Sequence, residues 1–153
     1  MKASAGFAFF LLFLGGFALV NLRNMGEEAE QSIPTLEGLS ATAWRPSHIG
    51  EMSVDEDTRL YVQFETDGQL HGYAGCNRFF GHYQLAGNTI SIDRLGMTRM
   101  ACQPQIMSFE ISFIDALQSA TTIAQRDDRI ALRNDDGQAT VRFDAIGRMN
   151  VSE

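Results

Sequence analysis

An α+β fold, with a largely antiparallel sheet of hairpins and one main amphipathic α-helix packed on it, follows from three observations on this sequence. Short apolar/polar alternations recur with glycine-containing turns between them. A single stretch, residues 104–120, switches to a spacing of three and four. That stretch lies between hairpins rather than alternating with every strand, which argues against a doubly wound parallel sheet. The 153 residues amount to one domain, because removing an N-terminal segment of roughly thirty leaves about 120, enough for one core. With 44% hydrophobic and 20% charged residues, the composition is that of a chain that folds.

The chain starts with Met1 and Lys2, and Ala3 to Leu22 then carry no charge. A positive start followed by an apolar stretch is the layout of a secretory signal, and a stretch of this length also suffices to cross a bilayer. Gly16-Phe17-Ala18 places small residues at the minus-three and minus-one positions of a cut after Ala18, whereas apolarity running on through Val20 and Leu22 suits an uncleaved membrane anchor. A buried core helix is the bland alternative. As signal peptide or anchor, residues 1–22 direct the body out of the cytoplasm. Neither cysteine lies near this segment, so no lipid-anchored N-terminal cysteine is expected. Residues 23–37, with Glu27, Glu28, Glu30 and Ser32-Ile33-Pro34, read as a polar linker. The domain is expected over 38–146, followed by a tail at 147–153.

Within the body, Leu60, Val62 and Phe64 alternate with Tyr61, Gln63 and Glu65, and Thr66-Asp67-Gly68 follows. This predicts a hairpin whose return strand is Gln69 to Ala74. Gly72 and Gly75 predict a bend there, or a place where the backbone passes close to another group. A second hairpin is predicted over Tyr83 to Leu85, the turn Ala86-Gly87-Asn88, and Thr89 to Asp93 with Ile90 and Ile92 on one side. A third runs from Ile130 and Leu132 through Asn134-Asp135-Asp136-Gly137 to Val141 and Phe143 inward, with Thr140 and Arg142 outward. Hairpin after hairpin makes the sheet antiparallel. Between the second and third, Ile106, Phe109, Phe113, Leu117 and Ala120 lie at helical spacing behind Pro104, which suits a first helical turn. One helix of about four turns is predicted, its aromatic face on the sheet.

The formal net charge is −7, and losing Lys2 with the N-terminal segment takes the body to −8. Such a surface repels phosphate backbones, so no nucleic-acid partner is expected, and anionic membrane surfaces are disfavoured likewise. The acidity reads as a solubility feature, with an acidic recognition surface as the alternative.

The most distinctive stretches are Gly75-Cys76-Asn77-Arg78-Phe79-Phe80-Gly81-His82-Tyr83 and Met97-Thr98-Arg99-Met100-Ala101-Cys102. With Trp44 before them, Glu110 on the helix and the closing pair from Ile130 to Phe143, they make the chain resemble the META domain family, in particular its HslJ-like heat-shock branch. The resemblance covers roughly Leu36 to Asp144. It implies a barrel-like antiparallel sheet with a helix, a place in the bacterial envelope (periplasmic, secreted or tethered to the inner membrane), and links to stress response and antibiotic tolerance without a known reaction. HslJ-like proteins commonly carry a lipobox cysteine, and no such cysteine stands here.

Two cysteines with 25 residues between them, in a domain sent to an oxidising compartment, read best as a disulfide, Cys76 to Cys102. Buried reduced thiols and a reactive thiol are the alternatives. A Cys76/His82 dyad would supply a nucleophile and a base, but no orienting acid lies at a suggestive spacing, and His82 on an exposed strand edge is the plainer reading. His48, His71 and His82 lack metal-site spacing, and Asp55-Glu56-Asp57 lacks the rhythm of a calcium loop, so no metal and no cofactor is expected. Asn77 next to Cys76 suits fixing a turn, and Trp44 suits a core position with its ring nitrogen on a backbone carbonyl. Arg78 and Arg99 among Phe79, Phe80, Met97 and Met100 put cationic forks among apolar side chains, where they either grip a partner or cover core surface. The candidate binding surface is therefore Asn77, Arg78, Phe79, Thr98, Arg99 and Met100. The function expected is a non-catalytic envelope module that binds a protein or envelope component. A thiol enzyme using Cys76 with His82, and an inhibitor of an envelope hydrolase, are the alternatives, the latter by fold-level analogy.

Overall fold

The computed structural model describes residues 32–147, so the segment 1–22, the first part of the polar stretch and the end of the tail lie outside the described residues. In chain order the elements are α1 (Leu36–Ser40), β1 (Ala43–Ile49), β2 (Met52–Ser53), β3 (Leu60–Phe64), β4 (Gln69–Ala74), β5 (Arg78–Ala86), β6 (Thr89–Ile92), β7 (Gly96–Met97), α2 (Pro104–Gln118), β8 (Thr122–Arg126), β9 (Arg129–Arg133) and β10 (Ala139–Ala145). Strand order runs β10-β9-β8-β6-β5-β4-β3-β1, and β10 pairs back onto β1, closing an antiparallel barrel of eight strands. The two-residue β2 and β7 pair at its margins with β1 and β5. The α+β class, the hairpins and the barrel-like sheet are all present.

The hairpins form where period-two alternation meets a turn. Leu60, Val62 and Phe64 are buried, and the chain reverses through Gly68, whose φ of 84° favours glycine. Closure is uneven around the barrel. The β3–β4 joint carries five register pairs, from Leu60↔Ala74 to Phe64↔Leu70. The β6–β8 joint carries one, Thr89↔Thr122, supported by backbone bonds from Ile90 to Thr121 and from Ile123 to Asn88.

Helix α2 fills the barrel from the end where β4 gives way to β5. Pro104 occupies its first turn, where a missing N–H costs nothing. The fully buried Phe113 sits edge-on between Phe79 of β5, at 5.9 Å, and Phe143 of β10, at 6.2 Å, so one ring joins opposite walls. The buried face is Glu110, Phe113, Ile114 and Leu117. Ile106, expected on it, is 38% exposed, because the helix turns that flank toward solvent at the barrel rim.

At the other end, α1 closes the barrel. Thr35 caps it by accepting the Gly38 N–H at 3.0 Å, and Leu39 is fully buried. The Leu39 carbonyl accepts the Trp44 ring N–H at 2.9 Å, so Trp44 is a core residue tied to a backbone carbonyl. Further back, Ser32 exchanges backbone hydrogen bonds with Gln125 of β8. The part of the expected linker from Ser32 to Glu37 is thus built into the fold, because these bonds anchor it across the barrel mouth. Thr140 differs as well: a register shift between Ala139 and Val141 turns it inward, and it is buried.

Candidate binding site

The two distinctive stretches meet at the turn between β4 and β5. Gly75, with φ of 101°, makes a bend that a side chain would strain. Cys76 follows, 1% exposed and bonded to Cys102, with the two Cα atoms 6.1 Å apart. Asn77 comes next and is 2% exposed. Its side-chain oxygen accepts the Met100 N–H at 2.7 Å and the Thr98 hydroxyl at 2.9 Å. Its amide donates to Glu110 Oε1 at 2.9 Å, and its backbone N–H donates to Glu110 Oε2 at 2.7 Å. Thr98 Oγ1 in turn accepts the Arg78 N–H at 3.1 Å. One buried side chain therefore ties the turn, the segment 98–100 and helix α2 together beside the covalent link.

The motif is consequently inward-looking chemistry. Asn77, Thr98 and Glu110 spend their polar atoms on one another and on backbone, which is what a buried carboxylate and amide need. Arg78, Thr98, Arg99 and Met100 lie on the surface, Met100 at 60% exposure. Phe79 does not belong to that surface. It is 1% exposed, since strand alternation turns it into the barrel against Phe113. The neighbouring Phe80 takes its place, 60% exposed, with its ring lying over Gly96. The resulting face carries Arg78, Phe80, Arg99 and Met100. At the same end, a cleft of about 430 Å³ opens between Val54, Arg59, Tyr73, Gly75, Ile106 and Phe109.

The sulfur of Cys76 and the ring of His82 are not brought together. Arg78, next to the disulfide, pairs with Tyr73, whereas His82 pairs with Gln69 at the opposite end of β4 and faces solvent. Four residues of strand separate those positions, about 13 Å at the usual rise. The Cys76/His82 dyad is thus ruled out in this oxidised fold. His71 instead meets Glu65, Nε2 to Oε1 at 3.1 Å. Among the described residues no three metal-ligating side chains converge, and no helix is long and apolar enough to cross a membrane. Asp55, Glu56 and Asp57 form an exposed turn, with Glu56 3.9 Å from Arg45.

The META domain family model matches residues 37–146. No curated protein matches the chain. Among solved structures, an NMR structure of a protein from Burkholderia xenovorans shares 23% identity, covers 84% of this chain and 99% of its own, and superposes with a TM-score of 0.61. A second NMR structure shares 22% identity over 77% of this chain and all of its own, with a TM-score of 0.61. A crystal structure of a DUF4847 family protein from Bacteroides vulgatus shares 15% identity over 75% of this chain and all of its own, with a TM-score of 0.56. At these identities the three are similar in fold alone.

Proposed function

Since the chain belongs to the META domain family, which is not known for enzymatic activity, we propose that it is a non-catalytic binding module of the bacterial envelope that serves in stress response. Its partner is an envelope protein or component held by the face around the disulfide. One observation carries this reading: the motif's reactive and polar groups are consumed in the disulfide and the Asn77 network, while Arg78, Phe80, Arg99 and Met100 are left outward. An arginine fork beside an exposed aromatic ring and a methionine suits an acidic or planar group on a partner. The oxidising compartment is supported by the disulfide and by the apolar stretch 3–22, which would tether the body to the inner membrane if uncleaved.

A photo-crosslinker placed at Phe80 of the full chain, expressed in bacteria under heat stress, tests the reading. The expected result is a discrete crosslinked partner that disappears when Arg78→Glu and Arg99→Glu are added to a folded protein. Crosslinks unaffected by the double charge reversal would show that this face is not the site. Should the captured partner be a hydrolase whose activity falls on binding, the inhibitor alternative replaces the stress-module reading.

A further inference from the structure

On the side of the barrel opposite β4, the outer face of β8, β9, β10 and β1 is concave, with a volume of about 520 Å³. Its floor is small: Ala124 of β8 stands beside Ala131 of β9, and Arg142 of β10 and His48 of β1 continue the same row. Its walls are cationic. Arg126 and Arg129 stand together at one end, Arg133 at the other and Arg142 between, so four of the chain's twelve basic residues line one groove. The single acidic side chain lining it, Asp144, is 3.3 Å from Arg129 Nε. Arg133 donates to the Gly137 carbonyl at 2.9 Å. Arg126 and Arg142 have no ion-pair partner among the described residues.

We propose that this groove is a binding site for a small oligoanion carrying phosphate groups. In a chain of net charge −7, guanidinium groups have acidic partners at hand elsewhere, yet here the sheet register gathers four around one carboxylate. Uncompensated like charges in a concavity repel one another, and the occupant that relieves the repulsion is an anion with more than one charge. A guanidinium fork matches phosphate oxygens in pairs, and the alanine floor leaves room for the ligand to lie between the forks. Arg129 and Arg133 are four residues apart on one strand, about 13 Å, so a single small anion cannot engage both ends, whereas a chain of linked phosphates can. A groove of this volume is within the range of small-molecule sites. Free oligophosphate and the phosphate-bearing headgroup of a lipid share this chemistry.

Isothermal titration calorimetry on the full chain in a non-ionic detergent tests the site, with tripolyphosphate as the free-anion probe and bis(glycerophospho)glycerol as the headgroup probe. Saturable binding to one site is expected, weakening with added salt. R126Q and R142Q should each weaken it about tenfold, the scale of one charge-assisted hydrogen bond. R94Q, an exposed arginine outside the groove, should leave it unchanged. Circular dichroism of each variant establishes that the barrel persists. Binding of either probe with that pattern supports the site and identifies its source. The absence of saturable heat with both probes, or an equal loss in R94Q, overturns it.

Discussion

Glu110 lies 33 positions from Asn77, yet its carboxylate accepts both the backbone N–H and the side-chain amide of that residue, at 2.7 and 2.9 Å. Both residues are buried, so neither has water to fall back on. Asn77→Ala should lower stability by about 2 kcal/mol, because Glu110 Oε1 loses its buried donor while Oε2 keeps the backbone N–H, and the bonds that tie Thr98 and Met100 to the turn are lost. Glu110→Gln keeps the shape but turns one acceptor into a donor facing a donor, for a loss of about 2 kcal/mol. Urea unfolding followed by tryptophan fluorescence measures both; unchanged midpoints would mean that the network does not hold this end of the barrel.

Closing the loop between Cys76 and Cys102 restricts the unfolded chain by about 3 to 4 kcal/mol in the loop-entropy picture. Cys76→Ala/Cys102→Ala should lose that much. The disulfide and Asn77 hold the same turn, so combining the changes should depart from additivity by about 0.5 kcal/mol or more. A double-mutant cycle reads the coupling; strict additivity would show two independent fasteners.

The Tyr83 phenol is raised above its usual pKa, chiefly by burial and further by the negative charges of Asp67 and Glu65. Its hydroxyl donates to the Glu65 carbonyl at 2.8 Å. In the unfolded chain the phenol gives up its proton first, so its contribution is intact below about pH 10 and is lost as pH rises toward the folded value. Tyr83→Phe should remove that part of the alkaline loss and cost about 1 kcal/mol at neutral pH. Denaturation midpoints across the alkaline range decide it, and identical slopes for both proteins would contradict the assignment.

Gly72 has no room for a side chain. A Cβ there would meet the Tyr61 carbonyl oxygen and come within 2.5 Å of the Phe79 ring. Gly72→Ala must push the ring off its position against Phe113, at a cost of about 3 kcal/mol or more. Thermal melting tests this, and a native-like melt would mean that the strands part without penalty.

The hairpins and the long helix were legible because their burial repeats at two and at three to four. Four features were not, each for a physical reason. β8 reads Thr-Ile-Ala-Gln-Arg, with one large apolar side chain, because its outer face lines the arginine groove. α1 is too short to show a period. A buried glutamate reads as solvent-facing until its partner is known, and that partner sits on a different element. The groove arginines, at 126, 129, 133 and 142, carry no motif; only the pairing of β8, β9 and β10 makes them neighbours. At the candidate site the same limit applied to Phe79 and Phe80, adjacent aromatics whose roles strand parity decides.

The single-rung joint between β6 and β8 means that the cylinder has a zip. Parting the wall there breaks few bonds, and α2 leads through a short connection straight into β8, so the plug is drawn along with the flap it is attached to. Breathing of this barrel therefore begins at Ile90 and Ile123, whose amides bond across this seam and should trade hydrogen with solvent well before those of β3 and β4.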